Sequence, residues 1–161
     1  LTHVYDSFAD SVCTSELGLA NTRARLRMTT LYAVAAEHKL LVAGTGNKVE
    51  DFGVGFFTKY GDGGVDISPI ADLMKSQVYA LAKDLEVPQE IQDVAPTDGL
   101  WGDGRNDEDQ LGATYAELEW AMQFDTGEVT PRQQEVLDIY SNLHKQNYHK
   151  MIPIPVCKIN E

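Results

Sequence analysis

Leu41-Val42-Ala43-Gly44-Thr45-Gly46-Asn47-Lys48-Val49-Glu50-Asp51, running on through Phe56-Phe57-Thr58-Lys59-Tyr60-Gly61-Asp62-Gly63-Gly64-Val65-Asp66, is the stretch that decides the fold. Residues 40–43 are apolar without alternation and end in glycine, which predicts a short buried parallel strand. Beyond its end come a hydroxyl, an amide, a carboxylate, paired phenylalanines and a tight glycine turn. Ligands of open α/β sheets gather outside the carboxyl ends of strands, so this stretch reads as a switch-point site.

Working outward, residues 21–38 place Ala24, Met28, Leu31 and Ala35 at the three-and-four spacing of one helix face, with Asn21 as N-cap. Arg23, Arg25 and Arg27 then fall in the first two turns, where they repel one another and the helix dipole unless an anion sits there. The plainer reading is a solvated basic face. Helix, loop and strand make one αβ unit. Upstream, Leu1 to Tyr5 resembles the tail of a strand that leads into a helix over residues 7–12.

Downstream, residues 73–85 align Leu73, Gln77, Val78, Leu81, Ala82 and Leu85 on one helical stripe, and Pro88 closes it. Residues 94–106 hold Pro96, Gly99, Gly102 and Gly104 around Leu100-Trp101, a loop long enough to predict a lid. Two capping boxes follow, Thr114 with Glu117 and Thr130 with Gln133, the second with Pro131 at the favoured first position. The last helix is expected to reach about Asn147 with Val136, Ile139, Tyr140 and Leu143 inward. It delivers His149 and Lys150 to its end, before Pro153 and Pro155 enforce an extended tail.

With 161 residues the chain suits one domain, and its net charge of -12 argues against nucleic acid or an anionic membrane as partner. Cys13 and Cys157 lack metal-ligand spacing, which argues against a disulfide framework or structural zinc and for a reducing, cytoplasmic setting. No apolar run approaches the roughly 20 residues that span a bilayer, and no signal peptide opens the sequence. There is no initiator methionine either, and the chain is expected to begin inside a domain.

Gly44-Thr45-Gly46 after a strand invites a dinucleotide fingerprint, but Val49 occupies the third glycine position and Asp66 lies beyond a glycine and aromatic loop. A Walker lysine loop is absent, and Arg105 breaks calcium-loop spacing between Asp103 and Asp107. Glu50 stands three residues after Asn47, so it is either a helix-capping carboxylate or a magnesium ligand. Phe56-Phe57 either stacks a planar ring or belongs to the core, and Lys59 is by default a solvated lysine.

The run from Gly44 to Asp51, Gly55-Phe56-Phe57-Thr58-Lys59-Tyr60-Gly61-Asp62-Gly63-Gly64-Val65-Asp66, Lys75, Pro96-Thr97 and His149-Lys150 together resemble the ammonia-dependent NAD synthetase family. Ala24-Arg25-Leu26-Arg27-Met28 resembles that family's arginine helix. The resemblance implies an α/β fold with a partial Rossmann-like, adenine nucleotide alpha-hydrolase-like parallel sheet flanked by helices and a helical C-terminal part. Residues 1–161 would form a single, N-terminally incomplete synthetase domain. It implies a C–N ligase that adenylylates deamido-NAD with ATP and then amidates it with ammonia, giving NAD, AMP and pyrophosphate, with Mg2+ as cofactor and a homodimer as assembly. Position by position, Thr45, Lys75 and Thr97 match ATP contacts, Glu50 a magnesium ligand, and Arg25, Lys59, Asp66, His149 and Lys150 the deamido-NAD side. No residue matches a covalent nucleophile or a base.

One departure stands out: the family's serine-glycine-glycine-x-aspartate-serine phosphate loop is nowhere in these residues. The chain by itself is therefore expected to be inactive. Alternative readings are another adenylating ATP pyrophosphatase of the same fold, as in GMP or arginine biosynthesis, and a non-catalytic nucleotide-binding or dimerisation remnant.

Overall fold

A computed structural model describes residues 1–12 and 15–159. Its helices are α1 (Thr2–Ser11), α2 (Glu16–His38), α3 (Lys75–Asp84), α4 (Gln89–Gln92), α5 (Asp107–Leu111), α6 (Tyr115–Gln123) and α7 (Pro131–Met151), with a π-helix over Val49–Val54. Among the described residues no helix is long and apolar enough to cross a membrane. Cys157 is a free, exposed thiol, and Cys13 lies outside the described residues.

The main core lies where the π-helix, α6 and α7 meet. Val49, Val54, Leu118 and Val136 are almost wholly inaccessible, and Phe56, Trp120, Ile139, Tyr140 and Leu143 pack around them. Burying a side chain such as Leu118 contributes about 1.5–3 kcal/mol, so this cluster fixes how the three helices sit. Both anticipated capping boxes form: Glu117 N–H donates to Thr114 Oγ1 at 3.2 Å and Gln133 N–H to Thr130 Oγ1 at 3.3 Å, with Pro131 opening α7. Arg132 adds a bridge to Glu117, and its guanidinium holds that carboxyl down at about 2. The inward face of α7 is as the spacing predicted, but the helix continues past Asn147 to Met151.

Four expectations need correction at the N-terminal end and in the sheet. Leu1 to Tyr5 is not a strand tail, since α1 already begins at Thr2. Asn21 is not an N-cap: α2 starts at Glu16, and Ser15 caps it by accepting from Gly18 N–H at 3.2 Å. Asn21 instead accepts from the Thr58 hydroxyl at 2.6 Å, tying α2 to the glycine turn. The arginines consequently sit about two turns into the helix and not at its dipole end. The buried parallel strand over residues 40–43 is reduced to one parallel bridge between Ala43 and Ile67, and Leu40 and Leu41 are 63% and 67% exposed. A strand needs hydrogen-bonded neighbours on both sides to be central, and here only the 66–67 backbone pairs with it, Gly44 N–H donating to Ile67 O at 2.8 Å. No parallel sheet is therefore present among the described residues. Along α3, Val78 and Ala82 are half-buried as the stripe requires, whereas Leu81 and Leu85 face outward.

Candidate functional site

The site begins at the turn after Ala43. Asn47, 2% exposed, accepts from Val49 N–H at 3.0 Å and Glu50 N–H at 3.2 Å, while Glu50 Oε2 accepts from Asn47 N–H at 3.2 Å. Glu50 is thus a capping carboxylate, and its second oxygen turns away from the cap to other partners. Oε1 accepts from Tyr115 OH at 2.6 Å and pairs with Lys75 at 3.2 Å, and the Lys75 ammonium also lies 4.6 Å from the Tyr115 ring centroid. Lys75 opens α3, where a positive charge opposes the helix dipole and a nearby anion offsets it.

The π-helix closes on Gly55 at φ +63°, and a Cβ there would stand 2.5 Å from Asn147 Cβ. Its last carbonyls are satisfied from α7. His144 Nδ1 lies 2.7 Å from Gly53 O, which makes it the N–H nitrogen, and Asn147 donates to Val54 O at 2.8 Å. One further turn along the same face, Lys150 donates to Phe57 O at 2.7 Å and lies over the Phe57 ring. Burial lowers the Lys150 pKa, against the opposing pull of Asp62. The phenylalanines and the glycine turn are thereby strapped to α7. On the other side Gly61 meets α2, where a Cβ would come within 2.9 Å of Ala24 Cβ.

Two adjoining cavities open here. The larger, about 480 Å³, is lined by Thr45, Glu50, Lys75 and Thr97 together with Asp62 and Asp107. The smaller, about 200 Å³, shares Thr45, Glu50 and Asp62 and adds Asp51, Phe57 and Lys150. Asp51 is pushed up to about 6, first by burial and then by Glu50 and Asp62. Burial also raises Asp62, although its Oδ1 accepts from Thr58 N–H at 2.9 Å.

All four residues matched to ATP and magnesium line the larger cavity. Of the deamido-NAD set only Lys150 lines either one. Arg25 donates to Lys59 O at 3.3 Å and Lys59 to His149 O at 2.8 Å, so these three form a separate outer chain of contacts. Asp66 accepts from Val42 N–H at 2.9 Å and Tyr32 OH at 3.1 Å, which binds the 40–43 segment to α2. The loop over residues 94–106 lies against α2: Arg23 donates to Leu100 O, and Arg27 to Asp98 O and Gly99 O at 3.0 Å each. Those carbonyls answer the question of what accompanies two of the three arginines.

Tyr115, Asp107 and Asp51 escaped sequence reasoning. Tyr115 reads as the first residue of a capped helix and Asp107 as part of a broken calcium loop, and only the fold brings them to Glu50. Among the described residues no group of three or more His, Cys, Asp or Glu side chains could hold a metal ion. Glu50 and Asp107 do meet at one phenol, Tyr115 OH being 2.6 Å from the first and 3.3 Å from the second. Asp107 Oδ1 is buried without a hydrogen-bond partner. Two carboxylates that meet at one phenol, one of them with an unpartnered oxygen, fit magnesium, a hard cation that takes one or two protein carboxylates beside water or phosphate oxygens.

A family model for NAD synthase matches residues 2–153. The NH(3)-dependent NAD(+) synthetase of Alkaliphilus oremlandii is 46% identical over 140 residues, covering 87% of this chain and 53% of that protein. The synthetase of the same name from Thermoplasma acidophilum is 39% identical over 148 residues, covering 88% and 61%. Among solved structures, the NMN synthetase of Francisella tularensis superposes with a TM-score of 0.86 at 38% identity, covering 97% of this chain and 63% of that one. The NH3-dependent NAD synthetase of Campylobacter jejuni, in complex with nitrate, gives a TM-score of 0.73 at 25% identity, covering 98% and 63%. The chain spans about half the length of the curated relatives it matches. With a family model matched over nearly its whole length, the chain belongs to the NAD synthase family.

Proposed function

We propose that this chain forms part of an NAD synthetase, a ligase that adenylylates the nicotinate carboxylate of deamido-NAD with ATP and exchanges AMP for ammonia. One observation carries the reading: the four residues that the resemblance assigns to ATP and its metal, scattered from Thr45 to Thr97, line one cavity. Lys75 and the Thr45 hydroxyl would bind phosphate oxygens, and Thr97 the remainder of the nucleotide. Lys150, through Phe57, holds a wall of the smaller cavity. Arg25, Lys59, Asp66 and His149 would engage deamido-NAD. With no nucleophile or base assigned, the protein acts by holding carboxylate and α-phosphate in line, and ammonia is the attacker. Magnesium, held at Glu50, would supply charge neutralisation on the phosphates. Residues 1–161 are read as one synthetase domain in a cytoplasmic homodimer, with no nucleic acid or membrane partner.

The test is to titrate ATP and deamido-NAD separately into wild type and Lys75→Ala. Lys75→Ala is expected to weaken ATP far more than deamido-NAD. The reverse pattern would exchange the two pockets, and binding of neither nucleotide by wild type would overturn the reading. Because the Francisella protein that superposes well is an NMN synthetase, deamido-NMN belongs in the same titration as the alternative acceptor. Tighter binding of the mononucleotide would move the assignment to it.

A further inference from the structure

The larger cavity contains a buried acid that nothing in the chain satisfies. Asp107 is 7% exposed, its Oδ1 has no hydrogen-bond partner, and its Oδ2 lies 3.3 Å from Tyr115 OH. A phenol has one proton to donate, and the 2.6 Å contact to Glu50 Oε1 claims it. Both Asp107 oxygens are thus left short of donors, although a buried carboxylate without partners is costly.

Charge points the same way. The walls of this cavity carry Glu50, Asp62, Asp98 and Asp107 against Arg27 and Lys75 only. Arg27 already donates to two loop carbonyls, and Lys75 is paired with Glu50. The acids outnumber the bases by two, which one divalent cation would balance. Asp107 is moreover fixed in place, its N–H donating to Pro96 O at 2.9 Å, so it cannot swing to solvent without undoing the 94–106 loop.

We propose that Asp107 is a cation-binding residue, which with Glu50 holds a divalent metal ion, and that Tyr115 positions the two carboxylates for it. The metal comes to two oxygens set by one phenol, Glu50 braced on Asn47 N–H and Asp107 on Pro96 O. Water or phosphate oxygens complete the shell of a small hard ion. This concerns the metal of the site proposed above and rests on that reading only for its use in catalysis. The competing account is a protonated, neutral Asp107 that needs no cation.

Manganese(II) serves as probe, its free concentration followed by electron paramagnetic resonance as it is titrated into the chain, first alone and then with ATP. Wild type is expected to show one saturable site. Asp107→Asn and Glu50→Gln should each weaken it by more than about tenfold, and Tyr115→Phe, which keeps both acids, by about tenfold. Asp107→Asn removes an unsatisfied buried charge, so its melting temperature should not fall, and a loss of manganese cannot then be laid to unfolding. A second measurement needs no variant: iron(II) bound to wild type should cleave the backbone beside both Glu50 and Asp107. Full manganese affinity in Asp107→Asn, cleavage beside Glu50 alone, or no saturable site in wild type would each overturn the proposal. Failure of the synthetase reading looks different, with ATP leaving manganese affinity unchanged while dependence on Asp107 persists.

Discussion

Two helices of similar length, α2 with 23 residues and α7 with 21, are held in place by different forces. α7 buries Val136 completely and lays Leu137, Ile139, Tyr140 and Leu143 on the main core. α2 buries three alanines, while Leu17, Leu31 and Val34 remain more than half exposed. Beyond a small cluster of Ala20 and Ala24 with Leu100 and Trp101, what ties α2 to the rest is polar: Arg23, Arg25 and Arg27 donate to loop carbonyls, and Asn21 and Tyr32 bond Thr58 and Asp66. Apolar packing is non-directional and strong, whereas surface hydrogen bonds are directional and individually weak. The α7 side is accordingly the rigid wall of the site, and the α2 side sets its orientation.

The sharpest way to break this contrast is truncation on each side. Leu118→Ala should cost about 2–5 kcal/mol in urea denaturation, while Leu31→Ala should stay within about 0.5 kcal/mol. Comparable losses would mean that the α2 face is covered in solution. Next comes Gly55→Ala, which forces a side chain into a left-handed backbone and against Asn147, at about 1–3 kcal/mol. Its loss should appear in the same global unfolding as Leu118→Ala. Smaller, at about 1 kcal/mol, are the caps. Thr130→Ala should lower global stability, whereas Ser15→Ala should speed amide exchange only at the start of α2. Global destabilisation by Ser15→Ala would make the two helices one cooperative unit.

Smallest is a pH effect at the seam, since Asp51 keeps contact with solvent and screening discounts it. Its folded pKa, about 6, lies above the ordinary 3.8, so the folded state binds the proton more tightly. The stability this contributes is complete below the unfolded value and is lost as pH rises through about 6. Asp51→Asn should therefore melt higher than wild type near pH 7, the gap closing towards pH 4, as thermal melts across that range would record. A gap independent of pH would locate the effect in packing.

The local signals in the sequence were reliable where a few neighbouring residues settle the outcome. Thr114 with Glu117 and Thr130 with Gln133 cap helices because the partners are three residues apart, and Asn47 with Glu50 obeys the same geometry. Asn21 misled because Ser15 is an equally good cap, and Glu16 onward continues the helix. The hydrophobicity of residues 40–43 predicts a strand, but a strand also requires partners, and that requirement is not written in its own residues. Of the site, the wall formed by Thr45, Glu50, Lys75 and Thr97 was legible through resemblance. Tyr115 and Asp107 were not, because each meets Glu50 across a long separation in sequence that only tertiary packing closes.

The π-helix at Val49–Val54 has a mechanical meaning beyond its cap. Such a turn accommodates one residue more than an α-turn, and the Gly55 N–H reaches back to Glu50 O to close it. Adjacent carboxylates thereby face different ways, Glu50 lining both chambers and meeting Lys75 and Tyr115, Asp51 lining the smaller cavity alone. The extra residue acts as a phase shifter. Deleting one position between Glu50 and Gly55 would restore α-helical winding and rotate everything that follows by roughly 100° relative to Glu50. Phe56 and Phe57 would then lose their register with Asn147 and Lys150, and the two chambers would no longer share a wall.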